Sequence, residues 1–249
     1  MRIVVAGATG TLGRHVVDAV RAAGHDPVAL SRSSGVDLMT GSGLSSILRG
    51  ASAVVDASST SSTSTRKSVE FFATVTRNLL AAERVAEVPH HVAVSIVGAA
   101  AVDVNYYAGK AAQEKILMAD DDGRWSMLRT TQFHEFARQL VGHGKVGPIQ
   151  VVPTMRSQPI AAAEVAAELV AIAVGEPCGL APDLAGPRDE VMADLVRRYL
   201  AATGQRRPVV EVAIPGAWGR AMRDGSLLAP AGTRRGRQTF EDWLTTQNA

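Results

Sequence analysis

The feature of this sequence that most constrains its fold is a glycine-rich turn, GATGTLG at residues 7–13, directly after the apolar run at residues 3–6. A buried strand that enters such a turn and continues into a helix presents the free N–H groups of the helix to an anion. Gly7 permits the tight turn, Gly10 lets the backbone approach a phosphate, and Gly13 lets the helix lie close on the sheet. The turn therefore predicts a dinucleotide pyrophosphate site; the alternative is a strand-turn-helix unit that binds no ligand. The other residues of the turn predicted to contact the dinucleotide are Thr9, Thr11 and Leu12.

Apolar runs typical of strands alternate with helical patterns along the first 130 residues, which indicates a parallel sheet covered by helices on both faces. The predicted strands are residues 2–6, 28–30, 36–38, 53–57, 92–96 and 125–129, and the predicted helices are residues 11–23, 42–49, 67–86 and 106–118. The fold class is α/β, a Rossmann-type, doubly wound and mainly parallel sheet with a small C-terminal substrate lobe. We expect a single domain over residues 1–249, with a cofactor half at about 1–140 and a substrate-side lobe at about 141–249.

Two loops of the predicted sheet stand out. Only residues 31–35 separate the strands 28–30 and 36–38, so either the loop is truncated or 36–38 is not a full strand. An unbroken run of eight hydroxyl residues, Ser58 to Thr65, follows the strand at 53–57 and predicts a flexible surface loop, which Asp56 could cap by bonding backbone N–H groups. Because loops at the carboxyl ends of parallel strands line the ligand crevice, Ala57 and Ser58 are predicted to contact the cofactor.

The composition excludes several classes of protein. A formal net charge of only +2 is not typical of nucleic-acid binding. The one cysteine, Cys178, excludes an internal disulfide and a cysteine-based metal cluster, and it indicates a reducing compartment. Residues 1–6 already form the first strand, and no run of about 18 apolar residues indicates a membrane span. We therefore expect a cytoplasmic protein with no metal, nucleic-acid or membrane partner; the sequence leaves open whether it is a monomer or a homodimer.

Tyr106 and Lys110 lie four residues apart at the start of a predicted helix, so their side chains share one face. A nearby ammonium favours the phenolate, so Lys110 is expected to lower the pKa of Tyr106. Ser95 ends the preceding strand, where its hydroxyl could bind the same carbonyl oxygen as the phenol. Together the three side chains supply a proton donor, a tuning charge and an orienting hydroxyl, as hydride transfer to a carbonyl requires. Tyr107 offers a rival phenol, and a Tyr–Lys pair at this spacing can also be an ordinary surface pair.

With these motifs the chain resembles an atypical short-chain dehydrogenase/reductase of the NmrA-like, NAD(P)-binding family. The resemblance rests on the glycine turn, on Ser95 within SIVGA, on YYAGK at 106–110 and on RTTQF at 129–133. It is clearest over residues 1–140 and extends more weakly through 158–160 and 163–166. The resemblance implies Ser95, Tyr106 and Lys110 as catalytic residues, assigns the nicotinamide ribose to Lys110, and selects Tyr106 over Tyr107. The same family includes redox sensors that bind the dinucleotide without chemistry.

The end of the second predicted strand indicates which dinucleotide is bound. It reads Leu30-Ser31-Arg32-Ser33, without the carboxylate that NAD-preferring proteins place on the ribose 2′-hydroxyl. A guanidinium flanked by hydroxyls suits a 2′-phosphate, so Ser31, Arg32 and Ser33 predict NADP(H), with NAD(H) possible. Arg32 could instead be an ordinary loop arginine. Asp37 is predicted to meet the adenine edge, or else to be structural.

Residues after the sixth predicted strand point to the substrate side. Thr131, Gln132 and Phe133 are placed there, although Phe133 also suits core packing, and His134 is a weaker candidate for a catalytic acid. The sequence thus predicts an NADPH-dependent oxidoreductase that reduces a small apolar carbonyl, enone or quinone. The alternative is an NADP(H)-binding redox sensor with little or no catalysis. Epimerase or dehydratase chemistry on a nucleotide sugar ranks third, because the sequence shows no clear site for a second nucleotide.

Overall fold

A computed structural model of the chain describes residues 1–31 and 35–247, and these residues divide into two compact units. The first unit comprises residues 1–129 and 165–182, and the second comprises residues 130–164 and 183–249. The first 130 residues contain β1 (Arg2–Ala6), α1 (Thr11–Ala22), β2 (Asp26–Leu30), α2 (Leu44–Ile47), β3 (Ala53–Asp56), α3 (Thr65–Val85), β4 (His91–Ile96), a 3₁₀ turn (Ala99–Ala101), α4 (Asn105–Met118) and β5 (Trp125–Thr130). The remaining elements are α5 (Glu135–His143), β6 (Lys145–Val146), β7 (Ile149–Pro153), β8 (Arg156–Ser157), α6 (Ala162–Ala173), β9 (Gly179–Leu180), β10 (Leu184–Ala185), β11 (Glu190–Val191), α7 (Met192–Ala202), β12 (Val209–Val212), α8 (Gly216–Asp224), β13 (Arg234–Arg235) and α9 (Phe240–Gln247).

The sheet of the first unit has the strand order β5-β4-β3-β1-β2, with β9 added to β5. The pairs β1–β2, β1–β3, β3–β4 and β5–β9 are parallel. The chain places β2 on one side of β1 and β3 on the other, so the connections change direction at β1. In parallel α/β sheets this change creates a crevice at the carboxyl ends of the two strands, and ligands bind there. The Rossmann-type, mainly parallel α/β prediction is confirmed.

The helices of the first unit are held to the sheet by apolar side chains at helical spacing. On α1, the residues Leu12, Val16 and Val20 recur every three or four positions and are buried, which is the pattern of a helix with one core-facing stripe. A larger cluster joins α2 and α3 to the first three strands; its fully buried members include Val4, Leu44, Leu48, Val54, Val75 and Leu79. A smaller cluster, Leu80, Ala93, Leu117 and Met127, joins α3 and α4 to β4 and β5.

The third predicted strand, at residues 36–38, is wrong: these residues form no strand. Val36 is buried in the cluster beneath α2 and α3, whereas Asp37 is exposed and its carboxylate accepts the N–H of Met39 at 2.8 Å. A side chain that bonds its own backbone two residues on stabilises a turn and competes with strand pairing. Residues 36–38, which follow the short link of residues 31–35, are thus not a full strand, which was the second alternative that the sequence left open.

The second unit contains small sheets and a cluster of rings. Its strand order is β12-β7-β6 in one sheet and β11-β8 in another, and β10 pairs with β13 and, through Leu184, with Thr130. His134 is buried against Phe240 and Trp243, and the Trp243 ring stacks on Tyr199 at 6.0 Å. The assignment of residues 141–249 to a substrate-side lobe stays a prediction.

None of the helices within the described parts of the chain is long and apolar enough to cross a lipid bilayer.

Candidate active site

The glycine turn closes directly on the loop that follows β3. Gly7 has a φ of +74°, and a Cβ atom at this residue would lie 2.7 Å from the Ala57 carbonyl oxygen and 2.8 Å from the Ser58 Cα. A Cβ atom at Gly13 would lie 2.1 Å from the Gly7 carbonyl oxygen, so α1 can start this close to the turn only with glycine there. The structure therefore brings Gly7, Ala57 and Ser58 together, at the carboxyl ends of the neighbouring strands β1 and β3.

The start of α1 has the properties of an anion site. The helix begins at Thr11 after an extended Gly10, which gives no side-chain cap, and its first turn contains no acidic residue. Among the residues that the structure describes, a Cβ atom at Gly10 would meet only the Gly7 carbonyl oxygen within 4 Å, so no other described atom crowds this residue. Uncapped N–H groups beside open space fit a pyrophosphate, and the fold implies such a group here. Thr9 is exposed and Leu12 is buried in this turn.

The residues expected to select the dinucleotide are only partly described. β2 ends at Leu30, and Ser31 follows it half-buried, at the position expected from the sequence. Arg32 and Ser33, which carry the NADP(H) prediction, lie outside the described residues. Asp37 is exposed in the turn after them, with one carboxylate oxygen bound to the Met39 N–H.

Tyr106 lies at the start of α4, half-buried, with its hydroxyl 3.0 Å from the Ser59 hydroxyl. The Phe72 ring packs edge-on against the Tyr106 ring, with 5.2 Å between the ring centroids. Burial raises the pKa of Tyr106 to about 12, against the lowering effect of the hydrogen bond with Ser59. The expected lowering of this pKa by Lys110 is therefore wrong: burial of the phenol, together with the negative charge of Asp56, raises the pKa, and only the Ser59 hydrogen bond lowers it.

Lys110 is buried, with 3% of its surface exposed. Its ammonium donates to the Val94 carbonyl at 2.9 Å and to the Gln113 side-chain oxygen at 2.9 Å, and it lies 4.3 Å from the centre of the Phe72 ring. Burial lowers the pKa of Lys110 to about 8, although Asp56 and Glu114 oppose the shift. The ammonium is therefore directed into the protein by its two described acceptors.

A buried pair of side chains ties α4 to the loop after β3. The Gln113 amide donates to one oxygen of Asp56 at 2.8 Å, and the other oxygen of Asp56 accepts the Ser58 N–H at 2.9 Å. Both side chains are fully buried. Asp56 thus caps the hydroxyl loop through the backbone, one of the roles that the sequence left open for it.

Ser95 is buried at the end of β4 and donates its hydroxyl proton to Glu114 at 2.6 Å. Glu114 also accepts two hydrogen bonds from Arg129, at 3.0 and 2.6 Å. The structure therefore pairs Ser95 with Glu114 and Tyr106 with Ser59. The Ser95 hydroxyl, predicted to act beside the phenol, donates its hydrogen bond to Glu114 instead.

The predicted substrate-side residues lie in the second unit, where each is bonded. The Thr131 hydroxyl donates to the Gln158 carbonyl and accepts the Gly186 N–H at 3.0 Å. The Gln132 side-chain oxygen accepts from Ser157 at 3.2 Å, and Phe133 is half-buried in a bridge to Ile160. Thr131 thus fastens the backbone of this unit, and the substrate contacts of all three residues stay predictions.

The histidines have partners of their own. His134 contacts the Gln238 carbonyl at 3.1 Å, and burial lowers its pKa, which favours the neutral form. His90 and His91 lie buried against Ser126 and Glu83 respectively. No group of three or more His, Cys, Asp or Glu residues within 1–31 and 35–247 is placed to hold a metal ion.

Sequence reasoning missed Ser59, Gln113 and Glu114. One signal for Glu114 was present, because Tyr106, Lys110 and Glu114 recur every four residues on one face of α4. Ser59 is one of eight consecutive hydroxyl residues, and nothing in the sequence distinguishes it from its neighbours.

Known proteins are similar to this chain in sequence over part of its length and in fold over almost all of it. Residues 3–115 match the NAD dependent epimerase/dehydratase family. No curated protein matches the sequence.

Similar solved structures cover almost the whole chain. UDP-N-acetylglucosamine 4-epimerase from Bacillus cereus is 18% identical, with a TM-score of 0.72 over 99% of this chain and 96% of the epimerase. A short-chain dehydrogenase/reductase superfamily protein from Agrobacterium tumefaciens with bound NAD is 18% identical, with a TM-score of 0.70 over 100% of this chain and 96% of that protein. UDP-glucose 4-epimerase from Bifidobacterium longum, in complex with NAD+ and UDP, is 12% identical, with a TM-score of 0.75 over 100% and 97%. At these identities the likeness shows a shared fold.

Proposed function

We propose that the chain is an NADPH-dependent oxidoreductase that reduces a small apolar carbonyl, enone or quinone. The observation that carries the proposal is the position of residues 57–59. This short segment touches the glycine turn through Ala57 and Ser58, and it touches the Tyr106 hydroxyl through Ser59. The candidate phosphate site and the candidate proton donor therefore border one loop, at the carboxyl ends of parallel strands where cofactors bind.

The residues of the first unit have distinct roles in this proposal. The glycine turn and the start of α1 hold the pyrophosphate, and Ala57 and Ser58 border it. When bound, the nicotinamide supplies the hydride. Tyr106 holds a proton at neutral pH, as a phenol ordinarily does, and burial, which raises its pKa to about 12, makes it hold that proton more firmly until it donates it to the substrate oxygen. The resemblance to NmrA-like proteins implies that Lys110 holds the nicotinamide ribose, a role that requires its ammonium to turn away from Val94 or Gln113 when the dinucleotide binds.

Ser95 keeps a narrower role than the sequence assigned to it. Its hydroxyl hydrogen is engaged in the hydrogen bond to Glu114. The Ser95 oxygen can therefore accept a hydrogen bond, but the hydroxyl has no free hydrogen to donate to a carbonyl oxygen. We therefore retain Ser95 as a proposed orienting residue only if its bond to Glu114 rearranges when ligands bind.

The preference for NADP(H) over NAD(H) rests on the residues after β2. The strand ends at Leu30, and Arg32 follows two residues later without a neighbouring carboxylate. A guanidinium can bind a 2′-phosphate through charge-assisted hydrogen bonds, whereas the 2′-hydroxyl of NAD(H) favours a carboxylate.

The first test is a binding and turnover experiment. Calorimetry with the four nicotinamide dinucleotides measures the affinities, and NADPH consumption is then measured against a panel of carbonyl compounds, enones and quinones. Tyr106→Phe is expected to lower kcat for carbonyl substrates by roughly 10²- to 10⁴-fold, the usual contribution of a general acid. Tyr107→Phe is the matched control, because Tyr107 is the adjacent buried phenol. Unchanged turnover of every accepted carbonyl substrate by Tyr106→Phe would contradict the mechanism.

One observation favours the redox-sensor alternative. A general acid works best when its pKa lies near the operating pH, and the pKa of Tyr106 lies far above it. Tight dinucleotide binding without turnover on any panel member would identify a sensor. Because the matching family is one of epimerases and dehydratases and the similar structures include nucleotide-sugar epimerases, UDP-sugars belong in the panel. Interconversion of a UDP-sugar would contradict both the reductase and the redox-sensor proposals.

A further inference from the structure

The hydroxyl loop supplies the described hydrogen-bond partner of the candidate proton donor. The Ser59 and Tyr106 hydroxyl oxygens lie 3.0 Å apart, a normal distance for a hydrogen bond in which either group donates. Ser59 is exposed, whereas Tyr106 is half-buried behind it against the Phe72 ring. Ser59 therefore joins a partly enclosed phenol to solvent.

Lys110, one helical turn from Tyr106, is not placed to pass a proton from solvent to the phenol. Two of the three donors of the Lys110 ammonium go to the Val94 carbonyl and the buried Gln113 side chain. The Phe72 ring lies beside the ammonium, and the side chain has almost no contact with water. In this arrangement Lys110 positions Gln113 and has no described route to solvent.

Buried groups next to Ser59 in the structure fix its position. The Gln113 amide holds Asp56, and Asp56 holds the Ser58 N–H, one residue before Ser59. Because Gln113 and Tyr106 both belong to α4, these bonds attach the loop to that helix, and the Asn105 N–H adds a further bond to the Thr65 hydroxyl at 2.8 Å. Buried hydrogen-bond networks of this kind restrict the geometry of the groups they support.

We propose that Ser59 is the group through which Tyr106 recovers its proton from solvent, and that Asp56 and Gln113 are the positioning residues that hold it there. This inference rests on the proposed oxidoreductase function. As the substrate carbonyl carbon accepts a hydride, the C=O π electron pair moves to the oxygen, and the Tyr106 O–H bond breaks as its proton passes to that oxygen. The Ser59 O–H bond then breaks as its proton passes to the phenolate, and water returns a proton to Ser59. The net result is one proton taken from solvent for each hydride transferred.

The decisive measurement uses the ligand-free protein and needs no turnover. The chain has three tyrosines, so labelling them with ¹³C at Cζ gives few resonances, and Tyr106→Phe identifies the one from Tyr106. In mixed H₂O and D₂O, this resonance reports the rate at which the Tyr106 hydroxyl exchanges its hydrogen with solvent. Ser59→Ala is expected to slow the exchange roughly tenfold, because it removes the hydroxyl that relays the proton and one hydrogen bond of ordinary strength is worth up to about that factor. Ser59→Thr is expected to restore the rate.

Ser61→Ala is the matched control, since it removes an exposed hydroxyl from the same loop and should leave the rate unchanged. Gln113→Leu is expected to slow exchange as Ser59→Ala does, because it releases Asp56 and with it the loop. An exchange rate that Ser59→Ala leaves at the wild-type value overturns the inference.

Measurements of turnover distinguish a failure of this inference from a failure of the proposed oxidoreductase function. With a carbonyl substrate, Ser59→Ala should lower kcat, leave KM unchanged and increase the solvent deuterium isotope effect, whereas Ser61→Ala should change none of these. If Tyr106→Phe abolishes turnover but Ser59→Ala behaves like Ser61→Ala, only the role of Ser59 fails. If Tyr106→Phe has no effect, the proposed function itself fails.

Discussion

At the scale of single residues, the buried charge of Lys110 has a measurable cost. Its pKa is lowered to about 8 in the folded protein, from an ordinary value of 10.5. Between these values the unfolded chain binds a proton that the folded chain does not, so the free energy of unfolding rises with pH. Below the folded pKa the full penalty is present, and it is relieved as the pH rises through 8 towards 10.5.

Lys110→Met removes the titrating group and tests this sign. Across that pH range, wild type is expected to gain about 3 kcal/mol relative to the variant. Urea unfolding of both proteins at several pH values between 7.5 and 10.5 measures the difference, in which the other titrating groups cancel. A difference that does not depend on pH would show that Lys110 is already neutral or solvated.

The residue scale also shows what a sequence can and cannot predict about a site. The glycine turn, Tyr106 and Lys110 were predictable because each depends on local spacing: a turn that needs φ > 0, or a four-residue repeat along a helix. The pairing of Tyr106 with Ser59 and of Ser95 with Glu114 was not, although the four-residue repeat places Glu114 on the same helix face, because these contacts form only after the strands pair. Burial reversed the expected shift in the pKa of Tyr106, since desolvation depends on packing that no motif encodes.

At the scale of elements, α3 and α4 meet at Gly109, within the YYAGK segment. A Cβ atom at this residue would lie 2.3 Å from the Ser68 hydroxyl oxygen and 2.5 Å from the Phe72 ring. Gly109→Ala is therefore expected to destabilise the protein by about 1–3 kcal/mol, because overpacking forces the helices apart. It should also lower turnover, since Phe72 contacts both Tyr106 and Lys110.

Ala108→Gly is the control for a backbone effect in the same turn of helix, and chemical denaturation together with NADPH consumption measures both properties. If Gly109→Ala were as stable and active as wild type, the close approach of the two helices would be incorrect.

The elements themselves were largely predictable, because long apolar repeats bury one face of each helix or strand. The bounds of β1, α1, β4 and α4 differ from expectation by at most one residue. The prediction of a strand at 36–38 was wrong because the Asp37 carboxylate accepts a hydrogen bond within its own turn. The apolar residues on both sides of Asp37 resemble a strand pattern and do not reveal this bond. The two-residue strands β8, β9, β10, β11 and β13 could not be found, since so short a segment has no periodicity.

At the scale of the whole molecule, ligand preference should appear as stability. A dinucleotide that binds only the folded chain stabilises it by about 2.7 kcal/mol at a hundredfold excess over Kd. NADPH is therefore expected to raise Tm more than NADH at equal concentration. Arg32→Ser should remove most of this difference, because it deletes the charge that favours a 2′-phosphate. Arg14→Ser, on the exposed side of α1, is the control. Equal shifts with both ligands in wild type would contradict the NADP(H) preference.

The division of the chain into segments has a consequence for how the protein is made. The unit that contains the glycine turn and Tyr106 needs residues 165–182 as well as residues 1–129. That late segment adds β9 to the edge of β5 and contributes the fully buried side chains of Val165, Ala166 and Leu169. During synthesis, a ribosome must deliver residues 130–164 of the other unit before this segment emerges. The first unit, although its strands begin at residue 2, is therefore completed only when about three quarters of the chain has been translated.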